Sequence, residues 1–300
     1  MSLWILIALA AAIFQTLRFM LQKTLSTTRL SAVGATFARF AYSAPLIVLA
    51  VALFLGATGR PLPMPAPAFW AYAIAGGLSQ ILATIWVVML FKQRNFAVGI
   101  TFKKTEVIQT VLVGLIVLGE GVSWGAFGAI LLGLVAVLLL SKTPGTSGPW
   151  WRHLTNRASV LGLSSGVFFA VSAVGYRGAT LQFGDIEPAL RAALTLAFVA
   201  SFQAVIMAVW LLWRDREELR AVWSTRRVAI FVGLTSMGGS FCWFFAFALQ
   251  NAAYVKAIGQ VELIFSLMAS VLIFHEKVSA RELVGMGMLG VSILALVLVI

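Results

Sequence analysis

The chain has a single cysteine, Cys242, so no disulfide can close within it. It has two histidines, His153 and His275, each at the end of an apolar stretch, which leaves no metal-ligand constellation. Acidic residues number only 10, too few to suggest a magnesium-dependent phosphotransferase. There is no Ser/His pair, no His-Glu-x-x-His and no Asp/Asn metal cluster, so the sequence gives no support to an enzyme and implies no cofactor. The phosphate-cradling pattern Gly-x-x-x-x-Gly-Lys-Ser/Thr is also missing, which argues against direct ATP coupling. Charged residues of all kinds make up just 11%. What fills the chain instead is hydrocarbon: 61% hydrophobic residues and a mean hydropathy of +0.99, a composition that no soluble 300-residue domain shows.

A membrane-spanning helix needs about 20 mostly apolar residues. Ten such segments can be read, at 3–23, 32–55, 67–91, 97–118, 123–141, 158–182, 188–213, 227–250, 254–275 and 279–300. Their apolar runs are continuous rather than alternating, which excludes a β-barrel. The first segment has no basic residue ahead of it and carries Gln15, Arg18 and Gln22, so it reads as a span rather than a signal peptide. The longest connections, 142–157 and 214–226, are too short to hold a core. The expectation is an all-α membrane protein, with a lipid bilayer as its surroundings and no soluble domain.

The net charge of +12 reads as positive-inside bias, not as a nucleic-acid surface. Basic residues gather in the loops after odd-numbered segments, from Lys23 and Arg29, through Lys92, Arg94, Lys142, Arg152 and Arg214–Arg227, to Lys277 and Arg281. The opposite loops carry Arg60, Asp185 and Glu187. This puts the first set in the cytoplasm and both termini outside, in a plasma membrane, by expectation a bacterial inner membrane.

Residues 91–123 recur weakly 156 positions later, with Phe91/Phe247, Asn95/Asn251, Ala97/Ala253, Glu106/Glu262, Ile108/Ile264, Glu120/Glu276, Val122/Val278 and Ser123/Ser279 identical. A repeated unit of five segments must be inverted, because five is odd. The charges agree: Lys92 and Arg94 correspond to Ala248 and Gln250, while Gly121 and Gly125 correspond to Lys277 and Arg281. Basic residues have exchanged loops while the apolar frame stayed in register. The expected units are residues 1–141 and 158–300, joined by a cytoplasmic linker at 142–157.

Each half then resembles an EamA unit of the drug/metabolite transporter superfamily. The resemblance rests on an Arg early in the second segment of each half (Arg39, Arg191), a Glu ending the fourth (Gly119-Glu120, His275-Glu276) and glycines in the fifth (Gly128, Gly133; Gly285, Gly290). It implies ten transmembrane helices as two inverted five-helix repeats, and transport of small metabolites by alternating access. The chain departs from the family in two ways. Many members are expected to have cytoplasmic termini, and a proline is common in the fourth helix of each half; here that stretch runs Phe102, Lys103, Lys104, Thr105, Glu106.

A charge at the bilayer centre costs roughly 2.5–3.5 kcal/mol, so such residues normally face a cavity or a partner. The fourth segment holds Lys103, Lys104, Glu106 and Gln109, and the ninth holds Lys256, Gln260 and Glu262. Lys103 and Glu106 are three apart and share a helix face. The structural alternative is a Lys103–Glu106 pair with Lys104 and Lys256 reaching toward the surface. Glu262 has no lysine within one turn and needs a partner from another helix; Glu106 and Glu262 are candidates for proton coupling. Gln15 and Arg18 lie on one side of the first segment, with Arg18 also close enough to an end to snorkel. Arg39 is a cavity residue or a helix anchor. Trp86 and Trp243 sit mid-segment, while Trp4, Trp70, Trp124, Trp150, Trp151, Trp213 and Trp223 read as an interfacial belt. Glu120 and Glu276 read as structural, and Ser123 and Ser279 as helix caps.

The expected function is secondary transport of a small polar metabolite, anionic or zwitterionic, bound between the repeats by a monomer or homodimer. A lipid or lipid-linked flippase of the same fold is the alternative, with a non-transporting receptor or an integral membrane enzyme behind it.

Overall fold

In lipid, each backbone N–H and C=O must find its partner within the segment, so long apolar runs fold as helices. The computed structural model describes residues 2–90, 103–140, 157–265 and 280–299, and among these the regular structure is helical throughout. Six helices are long and apolar enough to cross a membrane: α1 (Leu3–Thr28), α2 (Ala32–Thr58), α3 (Ala68–Leu90), α6 (Arg157–Leu181), α7 (Pro188–Arg214) and α9 (Arg226–Leu249). Shorter apolar helices are α4 (Glu106–Leu118), α5 (Trp124–Leu140) and α11 (Ala280–Val299). Two more are α8 (Arg216–Ser224) and α10 (Ala252–Ile258). Lys92, Arg94, Lys142, Trp150, Trp151, Arg152, His153, His275, Glu276, Lys277 and Ser279 lie outside the described residues, as do residues 142–156 of the linker.

The helix ends follow local chemistry. Ser31 caps α2 by accepting from the Gly34 amide at 3.0 Å, and Ser123 caps α5 by accepting from the Ala126 amide at 3.2 Å. Gly59 closes α2 and Gly119 closes α4 at φ 63° and 68°, where other residues would be strained.

Three expectations need correction. The fourth segment is not one helix: Lys103 is helical, residues 104 and 105 form a turn, and α4 starts at Glu106. The ninth is interrupted at the matching place, where α10 gives way to a 3-10 turn at Gly259–Val261 before helix resumes at 262. Interrupted helices are tolerated at membrane depth when the freed backbone groups are buried in protein or line a polar cavity. The 214–226 connection contains α8. Asp215 caps it by accepting from the Glu218 amide, Val222 is buried, and the Glu218 carboxylate accepts from the Ser31 amide at 2.7 Å. Finally, Trp4 is buried in the core rather than in an interfacial belt, whereas Trp124, Trp213 and Trp223 are largely exposed.

The most extensive packing joins the first half to the second. α3 runs along α6 and α1 along α9; α2 packs on α9 and on α7, α3 on α7, α4 on α6, α10 on α1, and α5 on α11. The α3–α6 crossing is close because both helices lack a side chain there: a Cβ on Gly175 would stand 3.0 Å from the Gly76 Cα. Leucines and valines such as Leu53, Val205, Leu294 and Leu298 point outward, as a lipid-facing surface requires. Arg60 and Glu187 meet at 3.4 Å, and Ser31 meets Glu218, so the 2–3 and 6–7 loops share one end of the bundle and the 1–2 and 7–8 loops another.

Candidate functional site

The two helix interruptions place opposite charges against each other across the halves. Glu106 opens α4, where the helix dipole favours a carboxylate. Lys103 Nζ lies 3.4 Å from both of its oxygens, and Lys256 Nζ, from α10, lies 3.8 Å from Oε1. Glu262, just past the second interruption, accepts from Lys104 Nζ at 3.2 Å and from Gln15 Nε2 of α1 at 2.7 Å. The partner that Glu262 needed therefore comes from the fourth segment. None of Lys103, Lys104, Glu106, Lys256 and Glu262 is more than 8% exposed, so neither Lys104 nor Lys256 snorkels.

Aromatic rings complete the setting. Trp243 donates its indole N–H to Gln15 Oε1 at 3.1 Å, and Lys256 Nζ sits 4.8 Å above the Trp243 ring. Gly259 makes this possible, because a Cβ there would collide with the Trp243 ring. Phe169 of α6 lies under both Lys103 and Lys256. Trp86 stands elsewhere: it is half-buried and packs edge-on against Phe168. Trp86 and Trp243, both mid-segment in sequence, thus have different surroundings.

Arg39 is buried without a carboxylate partner among the described residues. Its Nε donates to Ser236 Oγ at 2.9 Å, Nη1 to Thr84 Oγ1 at 3.0 Å and Nη2 to Ser240 Oγ at 3.3 Å. Arg18 is also buried, close enough to Arg39 and Glu262 to feel both charges, and its Nε and Nη2 have no hydrogen-bond partner among the described residues. Gln260 is buried with Oε1 unpartnered in the same sense, and Gln109 is half-buried, donating to Thr105 Oγ1 at 3.1 Å. Among the described residues, five buried cations (Arg18, Arg39, Lys103, Lys104, Lys256) thus stand against two buried carboxylates.

Gln15, Arg39, Trp243 and Lys256 line one internal cavity of about 20 Å³, room for about one water molecule. Its other walls include residues the sequence reading did not single out. Tyr176 donates to Gln80 Oε1 at 2.7 Å, and Gln203 Nε2 donates to the Gly77 carbonyl at 2.9 Å and approaches both Gln80 and Tyr176. The amides Gln80 and Gln203, rare polar groups in apolar segments, were a usable signal. Thr84, Ser236 and Ser240 were not, since helical hydroxyls commonly bond their own backbone.

A second cross-half contact lies at the end of α4. Arg177 of α6 donates through Nε and Nη2 to Glu120 Oε1 at 3.0 and 2.9 Å, and through Nη1 to the Phe247 carbonyl at 2.6 Å. Asn251 Nδ2 donates to the Gly121 carbonyl, and the Ser123 amide to the Tyr254 hydroxyl, each at 3.3 Å. Glu120 is therefore part of a structural clasp. Arg191, its repeat-mate Arg39's counterpart in sequence, is only half-buried.

Residues 156–298 match the model of the EamA-like transporter family. No curated protein matches the chain. Solved structures do match it; one crystal structure, described only as that of a protein, covers 99% of this chain and 98% of its own at TM-score 0.70 and 16% identity, a likeness of fold alone.

Proposed function

Because residues 156–298 match the model of the EamA-like transporter family, we propose that this protein is a membrane transporter that carries a small anionic or zwitterionic metabolite by alternating access. The carrying observation is the excess of cations in the interior, where Arg39 and Arg18 have no carboxylate of their own among the described residues. A buried cation is costly unless an anion compensates it, and a transported substrate supplies one transiently. The substrate site is the region around Gln15, Arg39, Trp243 and Lys256, with Lys103, Lys104, Glu106 and Glu262 as the ion pairs that close it. Arg18, Gln109 and Gln260 are its polar margin, and Trp86 is a more distant candidate.

The proposed architecture is ten crossings in two inverted repeats, residues 1–141 and 158–300, joined by a cytoplasmic linker at 142–157, with both termini outside a bacterial inner membrane. Several features support it. The helix interruptions fall at matching repeat positions. The packing pairs also exchange under exchange of halves: α3–α6 with α1–α9, α2–α9 with α3–α7, and α4–α6 with α1–α10. The transporter acts as a monomer or homodimer.

The test is a thermal-stability screen of the purified protein with organic acids, amino acids and phosphorylated metabolites, followed by flux in proteoliposomes. Anionic or zwitterionic ligands are expected to stabilise it and to be transported. Stabilisation by cations alone would overturn the reading, and binding without flux would favour a receptor. Glu106 and Glu262 are the proton-coupling candidates; a Glu262→Gln variant whose transport keeps the wild-type pH profile removes Glu262 from that role.

A further inference from the structure

The internal cavity has cations in its wall but no carboxylate. Arg39 and Lys256 line it, and Glu106 and Glu262 do not. Both glutamates are already engaged, Glu106 by Lys103 and Lys256, and Glu262 by Lys104 and Gln15. A substrate ammonium entering here would find two like charges and no free acid. The rest of the wall is unusually aromatic. Tyr176 and Phe244 stack at 4.2 Å with 30° between planes, Trp243 and Phe247 stack at 5.9 Å with 22°, and all four line the cavity together with Phe169.

We propose that the substrate is an aromatic monocarboxylate without an ammonium group. This rests on the transport reading above and narrows it. The carboxylate takes the guanidinium of Arg39, whose acceptors among the described residues are hydroxyls of Ser236, Thr84 and Ser240, and the Nζ of Lys256, whose ion pair at 3.8 Å is the longest in the cluster. Arg39 binds the planar group through its fork, and hydroxyl acceptors yield to a carboxylate because charge-assisted bonds are stronger. The ring lies between the Tyr176–Phe244 and Trp243–Phe247 faces, in offset or edge contact. Arg39 brings the one wall charge without a carboxylate among the described residues, since Lys256 already shares Glu106, and one carboxylate matches it; a bisphosphate would leave charge uncompensated. The present cavity of about 20 Å³ is too small for a ring, so binding requires the α6 and α9 aromatics to part.

The experiment is ligand binding to purified full-length protein with phenylacetate, cyclohexylacetate, phenylalanine, phenethylamine and phenyl phosphate as probes. Phenylacetate is expected to bind roughly two- to tenfold tighter than cyclohexylacetate, the difference a ring stack makes. It should bind about tenfold or more tighter than phenylalanine, whose ammonium is buried unpaired. Trp243→Leu should lower the ratio of phenylacetate to cyclohexylacetate affinity. Arg39→Gln should lose both acids; if it does not fold, Arg39→Lys, which keeps the charge, should weaken both. Equal or tighter binding of phenylalanine, or no advantage of phenylacetate over its saturated analogue, overturns the proposal. Binding of phenyl phosphate or aliphatic acids alone also overturns it but leaves anion transport standing. If no anion binds and none is moved in proteoliposomes, the transport reading falls with it.

Discussion

Lys104 Nζ and Glu262 Oε2 lie 3.2 Å apart although 158 positions separate the residues in sequence. Each sits at a helix interruption, one in each half, and each is buried. Removing Lys104 leaves the Glu262 carboxylate with Gln15 as its remaining hydrogen-bond donor. Lys104→Ala should therefore destabilise the protein by about 3–5 kcal/mol. Pairing it with Glu262→Gln should recover a substantial part of that loss. Thermal unfolding of the purified single and double variants measures both, and additive losses would show that the pair is not coupled.

Ser236 accepts from Arg39 Nε at 2.9 Å, whereas Ser240 accepts from Nη2 at a longer 3.3 Å. Ser236→Ala leaves a buried charged donor unsatisfied and is expected to cost about 1–3 kcal/mol. Ser240→Ala should cost less in stability yet alter substrate affinity more, because Ser240 lines the cavity. Unfolding temperature and the KM of transport separate the two effects.

The Glu120–Arg177 pair is only partly buried, with side-chain exposures of 22% and 14%. Its contribution should be smaller than that of the fully buried pair. Glu120→Gln is expected to lower stability by about 1.5–3 kcal/mol, the range for hydrogen bonds to charged groups. Raising the salt concentration should weaken the wild-type contact only slightly, since buried pairs are poorly screened. A denaturation series at low and high salt checks this.

Glycines in this protein differ sharply in what surrounds them. A Cβ on Gly175 would press on the Gly76 Cα and the Tyr72 carbonyl, both at 3.0 Å, while nothing stands within 4 Å of one on Gly128. Gly175→Ala should cost about 1–3 kcal/mol through overpacking of α3 against α6. Gly128→Ala should be neutral or slightly stabilising, since alanine is the better helix former. A matching effect at both positions would mean that close packing at Gly175 does not set it.

Much of the fold was legible in sequence because lipid permits few answers. Apolar length marks the long helices, and the exchange of Lys92 and Arg94 for Lys277 and Arg281 is the sequence basis on which opposed halves are proposed. Charge in an apolar run likewise marked Lys103, Lys104, Glu106, Lys256 and Glu262 before any contact was known. The interruptions at 104–105 and Gly259–Val261 were not legible, because neither contains proline and a charged or polar residue in an apolar run does not by itself break a helix. Partner choice was hidden for another reason. The local spacing showed Lys103 beside Glu106, but only tertiary packing brings Lys104 to Glu262 or Gln15 to Trp243. The hydroxyl cradle around Arg39 was hidden for the same reason: Ser and Thr are ordinary in helices until one sees what faces them.

The boundary between the halves is crossed by Lys104–Glu262, Lys256–Glu106 and Arg177–Glu120. A seam of hydrocarbon loses free energy whenever it opens to water. A seam of ions behaves differently, because charges released from one another regain hydration that their burial had removed. The two faces can thus exchange a partner for water, and a molecule otherwise made of grease has wettable surface folded inward where these residues meet.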